Sequence, residues 1–412
     1  MKLLGPFKQI ITLSGLPLRG AIADQSLEVL SDTGVLIENG MIKKLGNFEL
    51  LKNEASSVEW VQGEKVLLPG LVDCHTHLCF SGNRANDFAM RNAGRTYLEI
   101  AQSGGGIWSS VQHTRAADEK ELLETMLERL DYLKSIGITT VEIKSGYGLD
   151  LEHEVKMLRA IQKAKSQTSL SLISTCLAAH MKPKDYDPEN HEGKSYLEYI
   201  LAEILPVVKK EDLATRVDIF IEKSAFQPEE SLDYLEKAKA LGFELTVHAD
   251  QFTPGSSQIA VQVGAKSADH LEASSEQDIE ILATSNTVAV ALPGASIGLG
   301  EPFTPARKLL DGGAILAIGS DWNPGSAPMG NLITQASILA TYEKLSTAEV
   351  FAGITFRAAH ALGLEDRGRI EEGKRADFVL FDTDNYQNIL YRQGVLSPSA
   401  TIIKGELQYG KL

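Results

Sequence analysis

His75 and His77 flank Thr76 at the end of an apolar run, 66–73. A strand turns residues i and i+2 to one face, so two neutral imidazoles presented together make half of a metal site. Two core histidines bonded to backbone would look the same in sequence. The other histidines bear on the choice. Of nine in the chain, His75, His77, His180, His248 and His270 fall at the C-terminal ends of strand-like segments, whereas His113, His153, His191 and His360 fall in predicted helices or loops. His75, His77 and His248 offer three nitrogens, and Asp321 adds a carboxylate at the end of a later apolar segment. Three His and one Asp suit a single Zn²⁺ or iron ion with one position left for a water, which such an ion activates near neutral pH. Asp321 also precedes Asn323-Pro324-Gly325, so a cap or turn role is its alternative.

An imidazole beside an activated water can take its proton or donate to the carbonyl oxygen under attack. His270 and His180 are placed for that work; satisfaction by backbone carbonyls is their plainer reading. Asp250 could orient His270, move a proton or bind neighbouring backbone amides. Arg84 follows His77 by seven residues in a loop that leaves the first strand. A guanidinium there could grip a carboxylate through two parallel hydrogen bonds or simply be solvated. Tyr147 and Lys144 end or follow the second strand, where a tyrosine can be packing alone and a lysine can form a salt bridge or line the wall. Gly104-Gly105-Gly106 lacks the Gly-Lys-Ser/Thr ending of a phosphate cradle, so a loop of close approach is expected.

These residues need a frame that brings distant segments to one place. Runs rich in Val, Ile, Leu and Thr recur at 66–72, 138–144, 170–177, 217–222, 243–248, 266–270, 287–293 and 315–321. Helical patterns separate them. One opens at Asp118, carries Leu122, Leu123, Met126, Leu127, Leu130 and Leu133 on one stripe and closes at Gly137. Near-continuous apolar strands alternating with helices predict an α/β fold, a (β/α)8 TIM-type barrel with its chemistry at the C-terminal mouth. Before the barrel, 34–38 and 41–45 read as strands joined by an Asn39-Gly40 turn; after it, 376–382 and 400–407 read as strands. The expected organisation is therefore a barrel over 66–372 and a composite β-sandwich from 1–65 and 373–412. The irregular stretch 182–193 is expected to be a loop over the mouth.

The chain has 412 residues, with 40 basic against 55 acidic side chains and a formal charge of −15. It contains no block of like charges, which makes it a poor ligand for nucleic acid or anionic membrane. Cys74, Cys79 and Cys176 form no disulfide framework or CxxC pair, and no long apolar run is present, so a reducing cytoplasm is the expected location. A small molecule is the expected partner, and the assembly stays open between monomer and homodimer.

The ensemble Pro69-Gly70-Leu71-Val72-Asp73-x-His75-x-His77, Lys144-Ser145-Gly146-Tyr147-Gly148, Ala179-His180, His248-Ala249-Asp250, Ser267-Ala268-Asp269-His270, Leu292-Pro293-Gly294, Asp321-x-Asn323-Pro324-Gly325 and Gly373-Lys374-x-Ala376-Asp377 resembles the amidohydrolase superfamily. Within it the likeness to the imidazolonepropionase family spans nearly the whole chain. The resemblance implies opening of 4-imidazolone-5-propanoate to N-formimidoyl-L-glutamate in histidine catabolism. It implies one metal on His75, His77, His248 and Asp321, with His270 catalytic beside it and Asp321 passing protons. It also implies substrate contacts from Arg84, Tyr147, His180, Gln251, Asn323, Gly325 and Ser326. Dinuclear members use a carboxylated lysine ending strand four; this chain has Glu222-Lys223 there, and the likeness favours one ion. The family often has Glu after His-Ala-Asp. Gln251 occupies that position here, and an amide cannot act as a base. A related deaminase acting on a heterocycle, or a barrel that has lost catalysis, are the competing readings.

Overall fold

The computed structural model describes residues 1–412, the side chains of Tyr97, Leu98 and Ala101 excepted. Eight parallel strands pair in chain order: Leu71–Asp73, Ile138–Lys144, Ser171–Ala179, Arg216–Phe220, Glu244–Ala249, Ser267–His270, Val288–Ala291 and Leu316–Ile318. The ring closes just beyond its first and last members. Asp321 N–H donates to the His75 carbonyl at 3.0 Å, His77 N–H donates to the Trp322 carbonyl at 2.9 Å, and Thr76 bridges Trp322 in parallel. The expected barrel is therefore present. Every residue of Ile138–Lys144 is buried, because side chains fill the inside and helices cover the outside.

The covering helix Glu119–Ser135 shows how local sequence sets these elements. Asp118 caps it by accepting from Glu121 N–H, and Leu122, Met126, Leu130 and Leu133 bury one stripe, with Leu123 and Leu127 half-buried beside them. Each buried side chain of this kind contributes about 1.5–3 kcal/mol. Gly137 ends the segment with φ +89°, and a Cβ there would stand 2.5 Å from Val379 Cγ2. An alanine would therefore meet both backbone strain and a clash.

Two further sheets come from the chain ends. One runs in the order Met41–Asn47, Thr33–Glu38, Lys2–Phe7, Ser57–Trp60; the other runs Glu406–Gly410, Pro398–Ile403, Phe378–Asp382, Lys65–Pro69, Gln9–Ile11, Val29–Leu30. Period-two alternation explains their packing. Leu67, Phe378, Leu380, Ala400 and Ile402 share a core with Leu4, Phe7, Val35 and Ile37 of the other sheet. The intervening Val66, Leu68, Val379, Phe381 and Ile403 belong to the barrel's core. The central strands of the six-stranded sheet are thus buried on both faces, between sandwich and barrel.

That burial corrects one expectation. Residues 66–69, read as the start of the first barrel strand, pair instead with Phe378–Asp382, and the barrel strand begins at Leu71. Both sheets demand apolar residues, so the run shows no break in hydrophobicity. The switch occurs at Gly70, where a Cβ would stand 2.5 Å from the Thr139 side chain. The region 182–193 is a loop holding the short helical turn Pro188–His191. No helix among the described residues is long and apolar enough to cross a membrane.

Candidate active site and metal centre

Strand ends at the barrel mouth bring His75, His77 and His248 together, with ligand-capable atoms within 4.8 Å of one another. His77 Nε2 and His248 Nε2 are 3.3 Å apart. Asp321 joins from the closing seam, its Oδ1 3.6 Å from His75 Nε2 and 3.4 Å from His77 Nε2. One of these atoms is otherwise idle. His75 Nδ1 pairs with Asp269 Oδ2 at 2.6 Å, which places its proton there and leaves a lone pair on Nε2; that atom is buried without a hydrogen-bond partner. A buried nitrogen without a partner, beside two more nitrogens facing each other and a carboxylate oxygen, is an arrangement that an electrophilic ion satisfies, so the residues present fit a metal and form a metal-binding site. Burial, followed by the Lys144 and histidine charges, lowers the His75 pKa well below its ordinary value, which keeps the ring neutral and able to ligate.

Behind the imidazoles lies a sealed ionic group. Asp218 Oδ2 is 3.0 Å from His248 Nδ1, an ion-pair distance turned off the line of a hydrogen bond. Lys144 Nζ is 2.8 Å from Asp218 Oδ2, 2.8 Å from Glu142 Oε1 and 3.8 Å from Asp269 Oδ2. Burial would lower the Lys144 pKa; Asp218, Glu142 and Asp269 outweigh it and raise it.

The mouth opens into a cavity of about 490 Å³ lined by His77, His248, His270, Asp321, His180, Tyr147, Arg84, Gln251, Asn323 and Ser326, among others. His180 donates from Nδ1 to the Gly146 carbonyl at 2.9 Å, leaving Nε2 as an acceptor. Burial, then His77 and His248, push its pKa well below the usual value, so this ring is neutral. It stacks on His77 with centroids 5.3 Å apart, and Tyr147 lies 5.4 Å from it. His270 holds a left-handed φ of 87°, which turns its ring toward the cluster, 5.3 Å from that of His248. Its Nδ1 is 3.5 Å from Glu272 Oε1. Burial opposes protonation of His270, but Glu272, Asp321 and Asp269 together raise its pKa.

Arg84 donates from Nε to Asp87 Oδ2 at 3.0 Å, and the same oxygen accepts from Gly106 N–H at 2.8 Å. The three-glycine loop is therefore the expected close approach: a Cβ at Gly105 would stand 2.4 Å from Asp87 Oδ1. Asn323 is placed on the wall, yet its amide is consumed internally. It donates to the Asp321 carbonyl, Asp321 Oδ2 and Ser326 Oγ, and accepts from Gly325 and Ser326 N–H. Gly325 does not line the cavity; it lies beneath Arg84. Asp250 binds Ser256 and Ser257 N–H and the Ser274 hydroxyl, which resolves its three alternatives in favour of loop structure.

The amidohydrolase family profile matches residues 66–407. The chain is 41% identical over 390 residues to the imidazolonepropionase of Bacillus cereus, covering 94% of this chain and 91% of that one. It is 40% identical over 419 residues to the imidazolonepropionase of Bdellovibrio bacteriovorus, covering 100% and 97%. This chain belongs to the imidazolonepropionase family of amidohydrolases.

The fold of this amidohydrolase is also that of an adenosine deaminase from Xanthomonas campestris solved with bound zinc, at TM-score 0.71 and 18% identity, covering 100% of this chain and 93% of that one. Asp218, Asp269, Glu142 and Glu272 were not singled out in the sequence. A signal for three of them exists: acidic residues inside strand segments, each fully buried in the fold, with a lysine two positions from Glu142. Lys223, at the position of the bridging lysine in dinuclear members, is exposed and is not part of the amidohydrolase cavity. Glu222 accepts from Phe252 N–H, Thr253 N–H and the Thr253 hydroxyl.

Proposed function

We propose that this amidohydrolase opens 4-imidazolone-5-propanoate to N-formimidoyl-L-glutamate, using one zinc or iron ion held by His75, His77, His248 and Asp321. One observation carries this reading. A single cavity joins the converging imidazoles to Arg84, which donates from Nε to Asp87 and, among the described residues, makes no hydrogen bond through its terminal nitrogens. A hydrolytic centre and an anion grip match a substrate that has both a cyclic amide and a carboxylate. The identity to named imidazolonepropionases supports the same assignment.

An ion at this site supplies Lewis-acid activation of water near neutral pH. Arg84 binds the propanoate through parallel N–H donors. His180 Nε2 accepts from a ring N–H, and the Tyr147 hydroxyl and Ser326 Oγ fix the ring in the plane of attack. His270 donates toward the ring carbonyl oxygen as negative charge grows on it. Asp321 takes a proton from the attacking water and delivers it to the ring nitrogen that leaves. A carbon–oxygen bond forms, the carbonyl carbon–nitrogen bond breaks, and the second proton is lost as the new carboxyl ionises. Gln251 hydrogen-bonds the substrate without changing charge, so proton transfer rests on His270 and Asp321.

The test is turnover of imidazolonepropanoate by protein of known metal content. Loss of the substrate's absorbance with formimidoylglutamate formed and no ammonia released is the expected result. Ammonia release from a neutral base such as guanine or cytosine, with no ring opening, would overturn the assignment in favour of deamination.

A further inference from the structure

Lys144 is an ammonium enclosed inside the barrel, with its side chain 1% exposed. It does not line the cavity. Its three carboxylate neighbours, Glu142, Asp218 and Asp269, are also no more than 1% exposed. Taking four charges out of water costs several kcal/mol per ion, and such groups are weak contributors to stability when apolar side chains could fill the same space. The arrangement matches a different purpose. Asp218 and Asp269 come from the fourth and sixth barrel strands, and each faces one candidate metal ligand, His248 and His75 respectively. Lys144, from the second strand, reaches both.

We propose that Lys144 is a positioning residue for the metal centre: it holds Asp218 and Asp269 in place so that both fix the tautomer and direction of the imidazoles they face. A metal-bound imidazole needs its second nitrogen protonated and held, and loss of such support typically weakens metal binding about 10–100-fold. Here two of the three imidazoles share that support through one ammonium. Without it, three carboxylates would crowd a sealed space; they would separate or take up protons, and the aim of His75 and His248 would be lost together. Glu142 faces no imidazole: its Oε1 accepts from Lys144 Nζ at 2.8 Å and its Oε2 accepts from Thr76 N–H at 3.3 Å. The inference rests on the metal assignment above.

The experiment compares the metal-loaded wild type with Lys144→Met and with Lys144→Met/Glu142→Gln. The second variant removes the cation together with the carboxylate that faces no histidine, so the net buried charge is the same as in the wild type and the fold is kept if the single variant fails. Transfer of zinc to a chelating dye and the visible absorption of the cobalt form are measured beside the unfolding midpoint. Positioning predicts zinc release at least tenfold faster and an altered cobalt spectrum. A folded variant that releases zinc within threefold of wild type, with the same cobalt spectrum, overturns it and leaves Lys144 as charge balance only. A wild type that holds no stoichiometric metal defeats the metal assignment itself, a result separate from either outcome for Lys144.

Discussion

Gly325 lies against the Arg84 guanidinium so closely that a Cβ built on it would stand 2.2 Å from Nη1 and 2.3 Å from Cζ. The atoms in the way are the far end of a flexible side chain, so Gly325→Ala displaces the arginine and leaves the fold. The expected result is an unchanged unfolding midpoint and a fall in kcat/KM of about 10- to 100-fold, carried mainly by KM. A variant with wild-type kinetics would show that Arg84 has no fixed place to keep.

Arg84→Lys keeps the charge and loses the planar fork. It is expected to lower transition-state stabilisation by about 1.5–3 kcal/mol, the scale of a hydrogen bond to a charged group. Steady-state kinetics decide the point: equal rates for wild type, Arg84→Lys and Arg84→Ala would place this guanidinium outside substrate recognition.

Replacing His77 with Ala removes one imidazole from the cluster and nothing from the hydrophobic core of the barrel. The variant should fold, lose its metal by elemental analysis and lose turnover. Two ions per active wild-type chain, or full activity in metal-free protein, would rule out the single-ion site.

His270→Ala, by contrast, should keep its metal and lose turnover by a factor of about 10² or more, the scale of a positioned proton-transfer group. Loss of metal in that variant would move His270 into the ligand set.

Asp73 supplies a pH dependence at the closing seam. Its Oδ1 accepts from Ser320 N–H at 3.0 Å and its Oδ2 is buried without a partner; burial pushes the carboxyl up to about 7. The folded pKa lies above the unfolded one, near 4. The folded state therefore binds the proton more tightly, and stability declines as pH rises from about 4 to about 7. In metal-free protein, Asp73→Asn should be more stable than wild type at pH 8 and lose that advantage toward pH 4. Denaturant unfolding across this range checks it, and a parallel pH dependence in both proteins would show that Asp73 does not titrate in the window.

Much of this was legible in the sequence, and the limits have physical causes. Period and apolarity announced the eight strands, and the histidines at their ends announced the cluster, because both signals are local. The partition at Gly70 was hidden because two sheets buried on both faces ask for the same residues on either side of it. Asn323, expected to meet substrate, lines the cavity; the sequence could not show that its amide also makes five hydrogen bonds within its own loop. Asp218, Asp269 and Lys144 gain meaning only from neighbours on other strands, which no spacing along the chain reveals.

The seam that closes the barrel also sets an order of events during synthesis. His75 and His77 leave the ribosome early in the barrel's sequence, and Asp321 emerges only after the last strand. The backbone bonds from Asp321 to His75 and from His77 to Trp322 are the same bonds that seal the ring. A growing chain therefore carries the three clustered imidazoles before Asp321 is made, and the four candidate ligands come together in the act of closure. Under the proposed four-residue site, retention of an ion would report that the barrel is complete, and a truncated or misregistered chain would expose itself by failing to retain one.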